Sequence, residues 1–344
     1  MNSGEMSLAA HSGEFHDIAE ALTGMGLLRV GEQFTLERLS GGVSCDVYKV
    51  ESGPRPPIVV KRALPKLRVA IDWRAPPERA MTEVAWLKLV AGINAHWVPK
   101  VLGEDRRRHL FAMEFLAPDS FPLWKAELAA GRIDEDFASS VGTALAKIHA
   151  ATAGRDEVAN SFANGPQFYA LRLEPYLLFT ATRHPDLANA IRTVAADIAN
   201  SGIALMQGDI SPKNILCGAN GPVFLDAETA CFGDPAFDLA FCLNHFLLKT
   251  AWRPQWSENY ARAFSAMHAS YAAGVTWERP EALDRRATRL LPMLLLARVD
   301  GKSPVEYITS EPDKAFVRTS ARAMIEQPPE SLDELARRYF AGSR

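Results

Sequence analysis

Between Gln33 and Ala63 three short runs, QFTLERL, CDVYKV and IVVKRA, are separated only by SGGVS and ESGPRPP. The runs carry the β-branched and aromatic content of strands, and the Gly and Pro residues between them form turns. A parallel neighbour needs a crossover of a dozen or more residues, usually a helix, and neither connection has room for one. The three runs are therefore expected to pair antiparallel. A helix should follow, because Pro76 and Pro77 suit its opening and ERAMTEVAWLKLV continues it with apolar residues on a broad face. Further strands are expected at WVPKVLGED and HLFAMEFL. After Pro118 the pattern changes to helical spacing: Phe137, Val141, Leu145 and Ile148 mark one helix, and Leu187, Ile191, Val194 and Ile198 another. The expectation is an α+β chain of two lobes, a small antiparallel β-sheet lobe over residues 1–116 and a larger, mainly helical lobe over residues 117–344.

A chain of 344 residues is long enough for two such parts. With 38 basic and 41 acidic side chains the net charge is −3, so no global basic field draws the chain to nucleic acid or an anionic membrane. The longest apolar run, Leu290 to Ala297, is interrupted by Pro292 and falls far short of a membrane span of ~20 residues. The N-terminal segment carries acids rather than a basic cluster, which argues against a secretory signal. Cys45, Cys217, Cys231 and Cys242 show neither CxxC pairing nor metal-ligand spacing, and read as reduced, mostly buried thiols of a cytoplasmic protein.

The chemistry concentrates in LMQGDISPKNILCGANGPVFLDAE, Leu205 to Glu228. Its Asn220-Gly221 pair signals a hairpin turn. Centred on Asn220, the hairpin sets Asn214 opposite Asp226, and directly opposed Cβ atoms lie roughly 4.5–5.5 Å apart. That separation suits two oxygen ligands of one hard cation such as Mg²⁺. Asp209 then falls at the rim of the same site. One carboxylate near the reacting atom and two metal ligands behind it is what phosphoryl transfer from a Mg-nucleotide requires. The plainer reading is a set of well-made turns, since Asp and Asn are common turn formers. The first lobe supplies the other parts, however. Gly41 and Gly42 occupy a turn between strands where backbone amides can approach phosphates. Lys61 ends an apolar strand. Glu83 shares a helical stripe with Trp86, Leu87 and Val90, so it needs a cation. Arg79, one turn back, is the local candidate and Lys61 the distant one, slightly preferred.

These features together resemble the aminoglycoside phosphotransferase and choline kinase superfamily, small-molecule kinases with a protein-kinase-like, bilobal fold. The resemblance runs from about Phe34 to Tyr307 and is most specific in QGDISPKNILCGANGPVFLDAETACFGDPAFDLAF. It implies that ATP and Mg²⁺ are used and that the acceptor is a small molecule with a hydroxyl. It further implies that Asp209 orients that hydroxyl and takes its proton, and that Asn214 and Asp226 hold Mg²⁺. Lys61 would contact the α- and β-phosphates with Glu83 as its ion-pair partner, under a loop containing Gly41 and Gly42. Met113, Glu114 and Phe115 lie in the hinge segment, whose backbone pairs with adenine. One departure is Gln207, where the family usually has His; Gln still donates and accepts hydrogen bonds. No activation segment of the protein-kinase type follows Asp226, which argues against a protein substrate. The alternative is a nucleotide-binding regulator without catalysis, favoured only by Gln207.

Other positions are more open. Asp238 is expected to cap a helix or brace the catalytic loop. Glu228 either touches a second metal ion or sits at a solvated strand end. Lys213 reads best as a surface residue. Arg298, Asp300 and Lys302, in LLARVDGKSPVEYI, either line the acceptor site or close a helix end. Between Asn244 and Ser310 there are nine bases and six acids, a balance of +3. A site for a polycationic acceptor should instead be rich in carboxylates, so a neutral or anionic hydroxylated acceptor is expected.

Overall fold

The computed structural model describes residues 5–39, 44–68 and 74–342, with the backbone alone for residues 5–14. They form two compact units divided between Ala117 and Pro118.

The first unit is a five-stranded antiparallel sheet, β1 (Thr35–Arg38), β2 (Cys45–Glu51), β3 (Ile58–Ala63), β4 (Val101–Asp105) and β5 (Leu110–Glu114), in the order β1-β2-β3-β5-β4. The short connections impose antiparallel pairing, with Tyr48 opposite Val60 and Val60 opposite Ala112. Tyr48, Val50, Val60, Leu110 and Ala112 form a core with Ile18, Ala21 and Leu22 of helix α1 (Glu5–Gly24). That helix is absent from the sequence expectation, although Ile18, Ala21, Leu22 and Met25 have helical spacing. Helix α2 (Arg79–Ile93) buries Glu83, Val84, Trp86, Leu87 and Val90. Gly41 and Gly42 lie outside the described residues.

The second unit is mainly helical. It opens with α3 (Trp124–Ala129), α4 (Glu135–Thr152), α5 (Asp156–Ser161) and α6 (Gly165–Phe168), then a π-helix over Tyr169–Leu178. Pro175 lies within that π-helix, where it has no N–H to give to the ladder. Helices α7 (Phe179–Arg183) and α8 (Ala188–Ala199) lead to strands β6 (Ala204–Met206), β7 (Ile215–Gly218), β8 (Gly221–Phe224) and β9 (Cys231–Gly233). Helices α9 (Ala236–Trp252), α10 (Ser257–Ala273), α11 (Pro280–Asp300), α12 (Glu311–Glu326) and α13 (Leu332–Gly342) complete it. Residues 236–251 of α9 are all buried, the mark of a central helix. The apolar run Leu290–Ala297 is buried in α11. Gly142 permits the close approach of α4 to α10, because a Cβ there would meet the Met267 carbonyl at 2.3 Å. No helix among the described residues is long and apolar enough to cross a membrane. Among the described residues Cys217, Cys231 and Cys242 are free thiols, and burial pushes the Cys217 thiol up to about 12.

Candidate functional site

In the first unit the charged pair expected from sequence is present. Lys61 Nζ donates to Glu83 Oε2 at 2.6 Å, and both side chains are buried. Arg79 is committed elsewhere, to the carbonyls of Ala75, Pro76, Ser44 and Leu64 at 2.6–3.0 Å. Its guanidinium thus closes the loops around the start of α2 and leaves Glu83 to Lys61. Met113 pairs with Val59 and Val101 within the sheet. Glu114 accepts from the Lys100 amide through Oε1 at 2.9 Å and ends β5, so the chain leaves the sheet at Phe115. Lys49 Nζ lies 5.0 Å from the centre of the Phe115 ring.

In the second unit the loop after β6 carries Gln207, Gly208 and Asp209. Gly208 has φ 80, and a Cβ there would meet Thr229 Oγ1 at 2.8 Å, so only glycine fits this turn. The turn is fixed by Asp238 in the first turn of α9. Its carboxylate accepts from the amides of Gln207 at 2.7 Å and Gly208 at 2.8 Å. Asp238 therefore braces the loop that carries Asp209 rather than capping a helix. Behind it His149 Nε2 lies 3.4 Å from Asp238 Oδ2, and His149 Nδ1 shares a 2.8 Å hydrogen bond with the Tyr271 hydroxyl. Gln207 bridges two segments: its Oε1 accepts from the Asp209 amide at 2.6 Å, and its Nε2 donates to the Leu225 carbonyl at 2.7 Å. One carboxamide thus ties the loop of Asp209 to the residue before Asp226.

Asp209 is 2% exposed. Its Oδ2 meets three donors, Asn214 Nδ2 at 2.9 Å, Lys213 Nζ at 2.9 Å and Arg172 Nη2 at 3.0 Å. Its Oδ1 is buried with no hydrogen-bond partner among the described residues. The Asn214 amide nitrogen also donates to the Asp209 carbonyl at 3.0 Å, which fixes the orientation of the carboxamide. Lys213 is half exposed, yet it is an ion-pair partner of Asp209 and more than the surface residue expected from sequence. Desolvation works against its charge, but attraction from Asp209 and then Asp226 prevails and raises its pKa.

The hairpin differs from expectation by one residue. Ile215 pairs with Phe224 and Gly218 with Gly221, so Asn214 stands opposite Leu225, whose amide donates to the Asn214 carbonyl at 2.9 Å. The turn is Ala219-Asn220, and its positive φ falls at Gly221, φ 107. A centre on Asn220 puts the axis half a residue too far along the chain. Asp226 follows the ladder with φ 66, a left-handed conformation that redirects its side chain from the strand alternation. It acts electrostatically on both Lys213 and Arg172. Glu228 is buried rather than at a solvated strand end, and it too acts on Arg172.

Arg172 had no sequence signal. The π-helix brings it to Asp209, and its Nε donates to the Gly208 carbonyl at 2.7 Å. Burial opposes its charge, but Asp209 and its neighbours more than compensate. Tyr176, one turn further on, accepts from Arg298 Nη1 at 3.1 Å. Burial pushes the Tyr176 phenol up, but attraction from Arg298 and then Arg172 prevails and lowers its pKa, with Asp209 acting against them. Arg298 thus joins the surroundings of Asp209 through Tyr176. Asp300 and Lys302 have other partners. Asp300 is held by His184 at 2.8 Å and Arg318 at 2.8 and 2.9 Å, and Lys302 by Glu174 at 2.7 and 2.9 Å.

Residues 35–282 match the phosphotransferase enzyme family (APH), and the chain belongs to that family. A methylthioribose kinase of Escherichia coli O45:K1 (strain S88 / ExPEC) is 26% identical over 262 residues. The match covers 67% of this chain and 61% of that relative, so the chain spans under two thirds of its length. An amicoumacin kinase solved with AMP-PNP, Ca²⁺ and Ami superposes with a TM-score of 0.56 at 12% identity, over 88% of this chain and 91% of that one. An ethanolamine kinase of Plasmodium vivax does so at 0.53 and 15%, over 93% and 84%. These likenesses are of fold: the chain has the α+β, protein-kinase-like fold of small-molecule kinases.

Proposed function

We propose that this chain is an ATP- and Mg²⁺-dependent phosphotransferase that moves the γ-phosphate of ATP to a hydroxyl of a small molecule. The observation that carries this reading is the asymmetry of the Asp209 carboxylate. Three donors anchor Oδ2, while Oδ1 is buried without a partner among the described residues. A buried acceptor without a donor costs about 1–3 kcal/mol, and the hydroxyl of a bound acceptor supplies the missing donor. Asp209 then orients that hydroxyl and takes its proton as the new O–P bond forms and ADP leaves. Arg172 and Lys213 hold the carboxylate fixed, which suits a reaction that depends on positioning.

Asn214 Oδ1 and the Asp226 carboxylate are hard oxygen donors, and two protein ligands suit Mg²⁺, which keeps several waters and phosphate oxygens. Bound there, the ion would neutralise charge on the β- and γ-phosphates. Lys61, fixed by Glu83, would hold the α- and β-phosphates, and the backbone of Met113–Phe115 would pair with adenine. Gly41 and Gly42 are assigned to the phosphate-covering loop by resemblance alone. The named activities of the methylthioribose, amicoumacin and ethanolamine kinases support a small molecule rather than a protein as acceptor. A cytoplasmic location is part of this reading, supported by the free thiols of Cys217, Cys231 and Cys242. Gln207 is a hydrogen-bonded brace, so no feature of the site favours a non-catalytic regulator. The test is thermal stability with ATP plus Mg²⁺ against ATP plus chelator. A ligand that binds only the folded state raises the melting temperature by mass action. A large rise with Mg²⁺ and a much smaller one with chelator is expected; equal rises contradict the metal assignment.

A further inference from the structure

Helix α9 presents Phe241, His245, Lys249 and Trp252 on one stripe. At one end of it Phe241 packs edge-on to Tyr176, ring centres 5.4 Å apart, beside Arg298. At the other end Lys249 lies under the rings of Tyr307 at 4.7 Å and Trp252 at 5.7 Å. Lys249 is 1% exposed, and its ammonium has no hydrogen-bond partner among the described residues. Arg298 Nε and the Tyr307 hydroxyl are likewise buried without a hydrogen-bond partner.

The charges that act most on His245, between the two ends, are positive. Burial depresses its pKa most, and Arg298, Lys249, Lys213 and Lys125 depress it further, so its ring is neutral at pH 7. Lys213 is the residue paired with Asp209, so this cationic region adjoins the candidate base. The carboxylate that acts on Lys249 is Glu306, and Glu306 is already ion-paired with Lys125. A buried ammonium without a counter-charge is expensive, and such strain persists where a ligand supplies the opposite charge. Of the nine bases counted between Asn244 and Ser310, Lys249 and Arg298 are the two that are buried.

We infer that Lys249 and Arg298 form an anion subsite beside Asp209, and that the acceptor is a hydroxylated small molecule bearing a carboxylate or comparable anionic group. This rests on the phosphotransferase reading and narrows its substrate class. The anion supplies acceptor atoms to the Lys249 ammonium, while a hydroxyl of the same molecule reaches Asp209 Oδ1. A polycationic acceptor meets the like charges of Lys249 and Arg298 here and is repelled.

The probes are three sugars of one ring type, glucuronate, glucose and glucosamine, whose binding to the full chain is measured by calorimetry in the presence of Mg²⁺ and a non-hydrolysable ATP analogue. Glucuronate should bind on the order of tenfold or more tighter than the other two, the effect of one charge-assisted hydrogen bond. Lys249→Gln should abolish that preference, and Arg289→Gln, on an exposed face of α11, should keep it. Equal or undetectable binding of all three, tighter binding of glucosamine, or a preference that survives Lys249→Gln overturns the inference. The analogue's own Mg²⁺-dependent binding is recorded on the same samples. Its failure counts against the phosphotransferase reading, whereas its success with no glucuronate preference counts against the subsite alone.

Discussion

Replacing Lys249 by methionine should stabilise the protein while removing a group it uses. Burial is the main cause that lowers the Lys249 pKa from 10.5 to about 8, with Lys125 adding to it and Glu306 opposing it. Each tenfold loss of proton affinity is worth about 1.4 kcal/mol, so holding this charge in the folded state costs about 3 kcal/mol. Methionine has nearly the volume of the lysine stem and keeps its apolar packing. The change forfeits cation–π attraction to Tyr307 and Trp252, about 0.5–1 kcal/mol each. A net gain of about 1–2 kcal/mol at pH 7 remains. The sign with pH follows from linkage. Below about pH 8 the lysine is charged in both states and the penalty is complete. Between about 8 and 10.5 the unfolded chain holds the proton and the folded chain does not, so wild-type stability rises and the gap to the variant closes. Urea unfolding of both proteins from pH 7 to 10 measures this. A variant less stable than wild type at pH 7, or a gap that ignores pH, would refute the reasoning.

Asp238→Ala removes the acceptor of two buried amides, those of Gln207 and Gly208, and should cost about 2–5 kcal/mol in unfolding free energy. Gln207→Ala should lower turnover with a smaller loss of stability, because it frees both the Asp209 amide and the Leu225 carbonyl; steady-state kinetics beside a melting curve separates the two. His268 is desolvated, yet Asp284 at 2.8 Å and Asp333 at 3.1 Å raise its pKa. Its contribution to stability is complete below the ordinary value of 6.5 and is lost as pH rises through the raised folded value. Melting temperatures above pH 6.5 should show this slope in wild type and lack it in His268→Gln.

The strands of the first unit were legible because short turns and strand composition leave one pairing, and the Lys61–Glu83 pair because an acid on an apolar helical stripe demands a cation. The hairpin was legible in type but not in register: the turn uses Ala219-Asn220, and a one-residue difference moves a side chain to the opposite face. Asp226 escapes that alternation only through its left-handed backbone, which no spacing rule anticipates. Arg172 and His149 left no trace, since a lone Arg between leucines and a lone His on a helix look alike whether or not they support a site. The charge balance of +3 is a weak guide to the acceptor. Arg279, Arg285 and Arg289 lie exposed, Arg262 pairs with Glu135, Arg286 with Asp234 and Glu278, and Lys302 with Glu174. Only the fold distinguishes these from Lys249 and Arg298.

The central claim is a division of labour, with Asp209 acting on the acceptor hydroxyl while Asn214 and Asp226 hold the metal. Mg²⁺-dependent ATP binding and ATP turnover, measured side by side on Asp209→Asn and Asp226→Asn, test it most directly. Asp209→Asn should keep Mg²⁺-dependent binding nearly intact while turnover falls roughly 10²–10⁴-fold, the range of a positioned base. Asp226→Asn should lose the Mg²⁺ dependence of binding together with turnover. Loss of Mg²⁺-dependent ATP affinity in Asp209→Asn, with its retention in Asp226→Asn, would contradict the account.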